Sequence, residues 1–449
     1  MNRVCWYRFA SPLRAHQFDR GANEKPKLSA TNLAGFSDSE KDKNLDSPFP
    51  GVVSSSLFSE YNHDQTGGVI EDMALHIAKE LKPMHPVTLI HPQEAEVAAK
   101  SFISQFSGRP IYAVKANPCA RLLRLLWDNG ITWFDVASIG EVRHVSRVLP
   151  EAEFPGIRLC FMHPIKAREA IREAYSQHNV RIFSLDSFNE LDKIIEATTT
   201  ETGPATDLTL CVRVRTFSKH AKLDLASKFG VSGPQTKLLL EKARKSARQL
   251  GICFHVGSQA LAPEDLEDAL QQVRLMVLEA AVEVDIIDVC EEFPVRSPDM
   301  NPPPLSQYMK AIRRGVLKLP VGHPIQLWAE PGRALSAAYH SEIVRVEHRR
   351  DLELYLNDGA YGTLRDAARV DWRFFVRLLR DPPSESQLLP FSFWGPTTDS
   401  LDFMPGPFHL PEDTRAGDYI EIFGVGAYGW VMRSQFNFFN TFESALAHD

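Results

Sequence analysis

The sequence predicts an α/β protein in which a parallel (β/α)8 barrel is followed by a second, mostly β domain. Between about residues 85 and 335, eight short apolar runs alternate with longer amphipathic segments. This alternation is typical of a parallel sheet that closes into a barrel and is covered by helices. Beyond residue 336 the amphipathic segments stop, and apolar runs of strand length are separated by turns, which indicates a domain built mostly of strands.

Each candidate barrel strand is a short run rich in β-branched or aromatic residues. In chain order the runs are IYAVKA, WFDVAS, IRLCFM, VRIFSL, LTLCVRV, GICFHVG, VDIIDVC and IQLWAEP. The segments between them have the spacing of amphipathic helices, as in ARLLRLLWDNG and SFNELDKIIEAT. Because barrel enzymes carry their chemistry at the carboxyl ends of the strands, the polar residues there are the candidates for function: Lys115, Asp135, His255 and Glu330.

The regions on either side of the barrel differ from it in composition. Residues 1–60 are rich in Ser, Asp, Lys, Asn, Pro and Gly without a sustained apolar period, which predicts a disordered extension. Residues 61–84 form a lead-in segment, and its membership of the β domain stays open. Residues 336–449 are assigned to the β domain because they contain runs such as SEIVRVEHRR, LELYLNDG and DYIEIFGVGAY.

The composition is that of an ordinary globular protein, with 44% hydrophobic and 24% charged residues. The net charge is −7, so the chain lacks the excess of basic residues that is typical of nucleic-acid-binding proteins.

Six cysteines are scattered without C-x-x-C spacing, which favours free thiols in a reducing compartment over disulfides or a metal site. No run reaches the ~18 apolar residues of a membrane span, and no apolar stretch follows the N-terminal arginines as in a secretory signal. The expected location is the cytoplasm.

The segment GVGAYG, residues 424–429, matches the glycine spacing of a dinucleotide-binding loop. That loop requires a following helix and strand within one βαβ unit, and an acidic residue further along. Only 20 residues follow Gly429, which is too few for that unit. The match therefore does not predict a dinucleotide site.

Lys115 lies in the segment PIYAVKANP, where a strand-like run is stopped by Asn117 and Pro118. A lysine at a strand end commonly packs its aliphatic stem and extends its ammonium group to water. The alternative is a lysine whose amine is a nucleophile with a lowered pKa, able to form a Schiff base. This segment alone leaves both interpretations open.

Three further polar motifs follow strands or turns. HVGSQ begins with His255 and offers an imidazole, a hydroxyl and an amide. EPGR combines the carboxylate of Glu330 with the guanidinium of Arg333, which is suited to phosphate. WGPTTDSLD places Asp399 in a turn. Each motif taken singly is compatible with a structural role, so their combination and order have to decide.

The combination resembles one family. A lysine after the first strand, an aspartate after the second, then His-x-Gly-Ser, Glu-Pro-Gly-Arg, Gly-Pro-Thr-x-Asp and Gly-Ala-Tyr are similar to the fold type III decarboxylases that use pyridoxal 5′-phosphate (PLP). These enzymes have an alanine-racemase-like barrel and act on ornithine, lysine, arginine or diaminopimelate. The resemblance extends from about residue 85 to 440 and includes FDVASIGE, SKFG, NDGAYG and FNFF. It implies the same barrel and β domain.

The resemblance also implies a role for each site residue. Lys115 would bind PLP covalently, Glu330 would pair with the pyridine nitrogen, and His255 would stack on the ring. The residues implied to contact the cofactor are Lys115, Asp135, His255, Ser258, Glu330, Arg333 and Tyr428, with Glu141 behind them. The residues implied to take part in catalysis are Lys115, Thr398 and Asp399. Asp399 would reach from the partner subunit of a homodimer to the distal ammonium group of a basic amino acid.

Three features depart from the family pattern. The text DVCEEFP places Cys290, Glu291 and Glu292 where the family has a glycine-rich loop that cradles the phosphate. Thr398 stands where these decarboxylases have a cysteine that protonates the substrate carbon. An aspartate that contacts the substrate is expected at Val370, and Asp371 matches it only if the register shifts by one.

The resemblance implies PLP-dependent decarboxylation of a basic amino acid, such as ornithine or lysine, to an amine in polyamine metabolism. Two alternatives stay open. One is a catalytically inactive homologue that acts by binding proteins, as antizyme inhibitors do; the altered loop and Thr398 favour it. The other is an enzyme that couples decarboxylation to transamination. The retained Lys115, His255, Glu330 and Arg333 favour an enzyme, while the substrate and the role of residues 1–60 stay undetermined.

Overall fold

The computed structural model describes residues 72–217, 228–257, 261–289 and 293–447. Three of the features predicted from the sequence lie outside these residues. They are the extension of residues 1–60, the cofactor residue Ser258, and the loop residues Cys290, Glu291 and Glu292.

The described chain begins with a short helical segment and one strand. Helix α1 (Met73–His76) continues into a π-helical turn at Ile77–Leu81, and strand β1 (Val87–Ile90) follows. The sequence placed β1 in the range assigned to the barrel. In the structure β1 pairs antiparallel with a strand that starts at His340 and parallel with one that ends at Leu446, so it belongs to the sheet of the β domain.

Eight parallel strands then close into a barrel in chain order, which confirms the predicted fold class. The ring closes where Arg109 pairs with Trp328 and Pro110 with Ala329. The barrel strands are β2 (Arg109–Ala113), β3 (Trp133–Val136), β4 (Arg158–Phe161), β5 (Ile182–Leu185), β6 (Thr209–Arg213), β7 (Gln249–Cys253), β8 (Ile286–Asp288) and β9 (Gln326–Ala329).

Helices of the predicted amphipathic type surround the barrel. Two of them begin at serine N-caps, because Ser138 accepts the amide of Glu141 at 3.2 Å and Ser187 accepts the amide of Glu190 at 3.3 Å. The helices are α2 (Pro92–Gln105), α3 (Ala120–Asp128), α4 (Ile139–Val148), α5 (Arg168–Gln177), α6 (Phe188–Thr198), α7 (Pro234–Ser246), α8 (Glu264–Ala280) and α9 (Leu305–Val316).

Apolar side chains pack on both faces of the barrel sheet. Its outer face packs on the helices, and its interior holds a separate apolar cluster: Ile111, Cys160, Met162, Ile182, Cys211, Cys253, Ile286 and Trp328. The interior of the barrel is thus a packed core, as expected for eight strands. Within the described part of the barrel, the rim rather than the interior therefore offers space for a ligand.

The β domain is accompanied by two short helices. One of them, α10 (Arg333–Ser336), leaves the barrel, and the other, α11 (Arg365–Arg369), lies inside the β domain. The strands are β10 (His340–Arg350), β11 (Glu353–Leu356), β12 (Val376–Leu379), β13 (Leu388–Trp394), β14 (Phe403–Pro411), β15 (Tyr419–Phe423) and β16 (Glu443–Leu446). The sheet has the order β12-β15-β10-β11-β13-β14, and β1 pairs with β10 on one side and with β16 on the other.

Strand β14 illustrates why these sequences form a sheet with one buried face. Every second residue from Met404 to Leu410 is buried, and the residues that alternate with them are exposed, as in a half-buried strand. Phe408 stacks on Phe393 of β13 with ring centres 4.0 Å apart. Within the described part of the chain, no helix is long and apolar enough to cross a membrane.

Candidate active site

Lys115 lies at the mouth of the barrel, on a turn that directly follows the first barrel strand. Strand β2 ends at Ala113, and a single 3-10 turn, Val114–Ala116, carries the lysine. Its neighbours on the turn are buried, whereas 35% of the Lys115 side chain is exposed. Nζ lies 3.9 Å from Oδ2 of Asp135, which is buried on the adjacent strand. The turn therefore aims an amine out of the packed core beside a carboxylate.

A cavity of about 500 Å³ opens above this lysine, at the carboxyl ends of the barrel strands. Four residues proposed from the sequence line it together, namely Lys115, Asp135, His255 and Glu330. No role was predicted from the sequence for its other lining residues, which are Ala137, Met162, His163, Pro164, Arg213, Lys228 and Phe229. Its volume is typical of a site for a cofactor or small ligand.

His255 is held in one ring orientation by its own turn. The amide of Gly257 donates to Nδ1 of His255 at 3.0 Å, and the hydroxyl of Thr216 donates to the carbonyl oxygen of His255 at 3.2 Å. Gly257 has a φ of +99°, which a glycine adopts at no steric cost. The glycine of the HVGSQ motif thus lets the chain fold back onto the imidazole.

The EPGR turn packs against the turn that carries Lys115. The amide of Ala113 donates to the carbonyl oxygen of Pro331 at 3.2 Å. A Cβ atom on Gly332 would lie 3.1 Å from the Cβ of Ala116 and 3.3 Å from that of Ala113, so a larger residue would press the two turns apart. The buried carboxylate of Glu330 and the amine of Lys115 consequently share one cavity.

Arg333 and Tyr428 lie next to each other, beside the lysine turn. The amide of Tyr428 donates to the carbonyl oxygen of Ala116 at 2.8 Å, and its ring centre lies 5.1 Å from Cζ of Arg333. Nη1 of Arg333 is buried and has no hydrogen-bond partner among the described residues. Buried donors are normally paired, so this nitrogen fits an additional acceptor such as a phosphate oxygen.

Asn117 fastens the lysine turn to the β domain. Its side chain is fully buried, accepts the amide of Cys119 at 3.0 Å and donates to the carbonyl oxygen of Gly426 at 2.8 Å. From the sequence, this asparagine is predicted only to end a strand. In the structure it joins the lysine segment to the segment that precedes Tyr428.

Glu141 lies behind the site, in the first turn of α4. Its Oε2 accepts the amide of Ala137 at 2.6 Å. Burial raises the pKa of Glu141, while that hydrogen bond and the ammonium group of Lys115 oppose the increase. The carboxyl group is therefore close enough to Lys115 to respond to its charge.

Thr398 and Asp399 lie elsewhere, between strands β13 and β14, and neither lines the cavity of its own chain. The exposed Thr398 donates its hydroxyl to Oδ1 of Asn437 at 3.2 Å. Asp399 accepts the hydroxyl of Tyr361 and the amide of Leu401, and these bonds, the first above all, lower its pKa. The role of Asp399 in a partner subunit, which the resemblance implies, stays a prediction.

Asp402 shapes the turn that presents these two residues, although the sequence analysis assigned it no role. Its fully buried carboxylate accepts the amide of Ala360 at 2.7 Å, and the amide and hydroxyl of Thr397 at 3.0 and 2.7 Å. A Cβ on Gly359 or Gly395 would lie within 2.3 Å of it, so both glycines make room for the carboxylate. Such a contact between distant segments has no local sequence signal.

The segment of Val370 and Asp371 is exposed. Asp371 has a φ of +56°, and its side chain is 72% exposed and bonded to Arg373 at 2.6 Å. Neither residue lines the cavity. Within one chain, neither residue is therefore placed where it could contact a substrate in the cavity.

The cavity and the neighbouring Arg333 fit PLP. The cavity offers an amine on a rigid turn, a buried carboxylate and an oriented imidazole. Arg333 follows Glu330 by three residues and offers a buried guanidinium nitrogen that has no hydrogen-bond partner among the described residues. Among the residues that the structure describes, no cluster of three or more His, Cys, Asp or Glu side chains could hold a metal ion.

Comparison with known families agrees with this chemistry. The family model described as "Pyridoxal-dependent decarboxylase, pyridoxal binding domain" matches residues 93–337, which include all eight barrel strands. The chain belongs to the pyridoxal-dependent decarboxylase family. A second model, for the C-terminal sheet domain of the same decarboxylases, matches residues 335–426.

Relatives of this decarboxylase family member act on basic amino acids according to their names. It is 30% identical to a lysine/ornithine decarboxylase of Selenomonas ruminantium over 336 residues, which is 73% of this chain and 80% of that protein. It is 30% identical to the ornithine decarboxylase of Schizosaccharomyces pombe over 351 residues, 74% of this chain and 76% of that protein.

Solved structures of this family share the fold. The arginine decarboxylase of Paramecium bursaria Chlorella virus is 25% identical, with a TM-score of 0.72 over 83% of this chain and 99% of that one. A lysine/ornithine decarboxylase of Vibrio vulnificus in complex with putrescine is also 25% identical, with a TM-score of 0.70 over 84% of this chain and 99% of that one.

Proposed function

We propose that the protein is an active PLP-dependent decarboxylase that converts a basic amino acid, such as ornithine or lysine, to an amine in the cytoplasm. The observation that carries the proposal is the single cavity in which Lys115 stands beside Asp135 and shares the space with His255 and Glu330. The family and the substrates named for its relatives support the same chemistry.

Within this proposal the residues of one chain bind and orient the cofactor. PLP supplies a conjugated ring that accepts the electrons released when the carboxyl group leaves as carbon dioxide. The amine of Lys115 would bind the cofactor, and the carboxylate of Glu330 would keep a proton on the ring nitrogen. The imidazole of His255 would pack against the ring.

The phosphate is assigned to a second group of residues. Arg333 offers the buried Nη1, and Tyr428 lies against the same guanidinium. Ser258 keeps the phosphate role implied by the family resemblance, although it lies outside the described residues. Together these side chains would hold a dianion at the rim of the barrel.

Asp399 is proposed to bind the distal ammonium group of the substrate, from the partner subunit of a homodimer. Its lowered pKa keeps it ionised at neutral pH. The adjoining surface is rich in exposed apolar side chains, with Phe438 85% and Leu401 55% exposed. An exposed apolar patch of this kind favours association, and a second copy of the chain would cover it.

The rival functions rest on specific departures. Thr398 in place of a cysteine and the acidic residues of DVCEEFP favour an inactive homologue that acts through protein binding. Thr398 also favours a decarboxylation that ends in transamination. An enzyme remains our proposal because a binding protein has no chemical need for an amine, carboxylates and an imidazole gathered in one cavity.

The test is product analysis with purified protein, added PLP and a panel of amino acids. Carbon dioxide and the matching amine from ornithine, lysine or arginine, but not from norleucine, would support the proposal. Asp399→Asn should raise KM for the diamino acids far more than for neutral ones, because it removes the counter-charge of the distal ammonium group. No product from any amino acid would favour the inactive homologue, and an aldehyde would favour the transaminating enzyme.

A further inference from the structure

Asp366 lies against Arg333, the side chain that we assign to the cofactor phosphate. Its Oδ2 accepts a hydrogen bond from Nη2 of Arg333 at 2.7 Å. Both side chains are largely buried, with 14% of Arg333 and 11% of Asp366 exposed. Asp366 belongs to the short helix α11 and to none of the motifs that the sequence analysis used.

The guanidinium of Arg333 is enclosed on three sides. Asp366 takes one edge, and the ring centres of Trp372 and Tyr428 lie 4.7 and 5.1 Å from Cζ. The amide of Trp372 also donates to the carbonyl oxygen of Asp366 at 3.2 Å, so the carboxylate and the indole are fixed by one piece of backbone. These contacts hold the guanidinium in a single orientation.

One nitrogen of the guanidinium is left for a ligand to pair with. Nη1 is buried and has no hydrogen-bond partner among the described residues, whereas Nη2 is bonded to Asp366. An arginine often binds a phosphate with two parallel N–H groups. Here Asp366 accepts one N–H group of Nη2, so the N–H groups of Nη1 are the ones left without a partner for a phosphate.

The carboxylate also changes the charge that a phosphate meets. Paired with Asp366, Arg333 contributes little net positive charge to a neighbouring anion. A second anion brought to the same guanidinium is repelled by the first, and the repulsion is weakly screened because both side chains are buried. The fixed orientation of Arg333 therefore favours binding of a phosphate, whereas the negative charge of Asp366 opposes it.

We propose that Asp366 is a positioning residue for Arg333 and, at the same time, a counter-charge that lowers the affinity of the site for the phosphate of PLP. The cofactor would then bind reversibly and exchange with the free pool, and the protein would be active only where PLP is abundant. This inference rests on the proposed function, in which Arg333 binds the phosphate.

The experiment compares PLP with pyridoxal, which lacks the phosphate, in titrations of the full chain after removal of bound cofactor. Asp366→Asn keeps an acceptor for Nη2 but removes the charge, so it should bind PLP roughly tenfold more tightly. Its affinity for pyridoxal should not change, and inorganic phosphate should compete with PLP more strongly than in the wild type. Asp366→Ser is a second uncharged variant, used if Asp366→Asn does not fold, and should change PLP affinity in the same direction.

The matched control is Asp207→Asn. Asp207 is paired with Arg181 at 2.5 Å, is about half exposed, and precedes β6, at the end of the barrel opposite the cavity. The Asp207→Asn variant removes the same charge as Asp366→Asn, but far from the cavity. It should therefore leave the affinities for PLP and pyridoxal unchanged.

Two results would overturn the inference and are distinguishable. If the wild type prefers PLP over pyridoxal but neither Asp366 variant binds PLP more tightly, Asp366 does not lower the affinity for the phosphate. The inference then fails and the proposed function stands. If the wild type binds PLP no better than pyridoxal, Arg333 does not hold the phosphate, and that part of the proposed function fails together with the inference.

Discussion

At the scale of single residues, we propose that Thr398, on the turn between β13 and β14, determines which product the reaction gives. Thr398 is exposed there and donates to Asn437. A proton delivered to the substrate carbon gives an amine, whereas a proton delivered to the cofactor gives an aldehyde and pyridoxamine phosphate. A threonine hydroxyl is a far weaker acid than a thiol, whose pKa is near ~8.5.

We therefore expect Thr398→Cys to raise the proportion of amine and to suppress loss of the cofactor as pyridoxamine phosphate. The measurement is product analysis by mass spectrometry under single-turnover conditions. Ser400→Cys, which adds a thiol two positions away on the same exposed turn, should leave the proportion unchanged. Amine alone from the wild type, at a rate that the Thr398 variant does not improve, would show that another group delivers the proton.

The sequence could predict the residues of this site that follow strands, and the reason is physical. The carboxyl ends of parallel barrel strands meet at one rim, so Lys115, Asp135 and Glu330 converge whatever the details of packing. Asn117 could not be assigned its contact, because its partner Gly426 lies 309 positions away. Asp366 escaped notice for the same reason, since its partner Arg333 belongs to another segment.

The start of strand β10 shows how a single element makes the fold sensitive to acid. His340 is buried, and its Nδ1 has no hydrogen-bond partner among the described residues. Burial, together with the nearby His91 and Arg433, lowers its pKa from 6.5 to about 3. The unfolded chain therefore takes up this proton first, so the stability that His340 contributes above pH 6.5 is lost as the pH falls towards 3.

We expect the free energy of unfolding of His340→Gln to fall less steeply than that of the wild type between pH 6.5 and 3. The measurement is urea denaturation across that range, and the readout is the slope with pH rather than the absolute stability. The control is His409→Gln, which removes an exposed imidazole from β14. If the free energy of unfolding has the same slope with pH in the wild type and in His340→Gln, the claim that His340 is buried as a neutral imidazole is wrong.

Elements with a strong local pattern could be predicted, and those defined by distant pairing could not. The eight barrel strands stand out because each is an apolar run between amphipathic segments. Val87–Ile90 has the same local character, yet it joins the other sheet, since its neighbours are strands near residues 340 and 445. Nothing within such a short run says which sheet it joins.

The whole molecule is proposed to be a homodimer in which each site takes Lys115 from one subunit and Asp399 from the other. The separation of these residues within one chain motivates the proposal, since Lys115 lines the cavity and Asp399 does not. An exposed aromatic segment, with Phe436 and Phe438 43% and 85% exposed, adjoins the turn of Asp399. We propose that this surface is covered by the second subunit.

Mixing two inactive variants tests this arrangement. Lys115→Ala and Asp399→Ala homodimers, mixed in equal amounts and allowed to exchange subunits, should regain about a quarter of the wild-type activity, since half of the dimers would hold one intact site. Lys115→Ala mixed with Glu330→Ala should regain none, because both residues line the same cavity. No recovery in the first mixture, despite heterodimers seen by native mass spectrometry, would contradict the shared site.

The central claim is that Lys115 is the residue that binds PLP, and borohydride reduction followed by peptide mapping tests it most directly. We expect the reduced protein to carry one pyridoxyl group, on the peptide that contains Lys115, and the Lys115→Ala variant to carry none. The rigid turn that carries the lysine suggests that this variant stays folded, which circular dichroism would check. A pyridoxyl group on another lysine, or none on the wild type in the presence of PLP, would contradict the account.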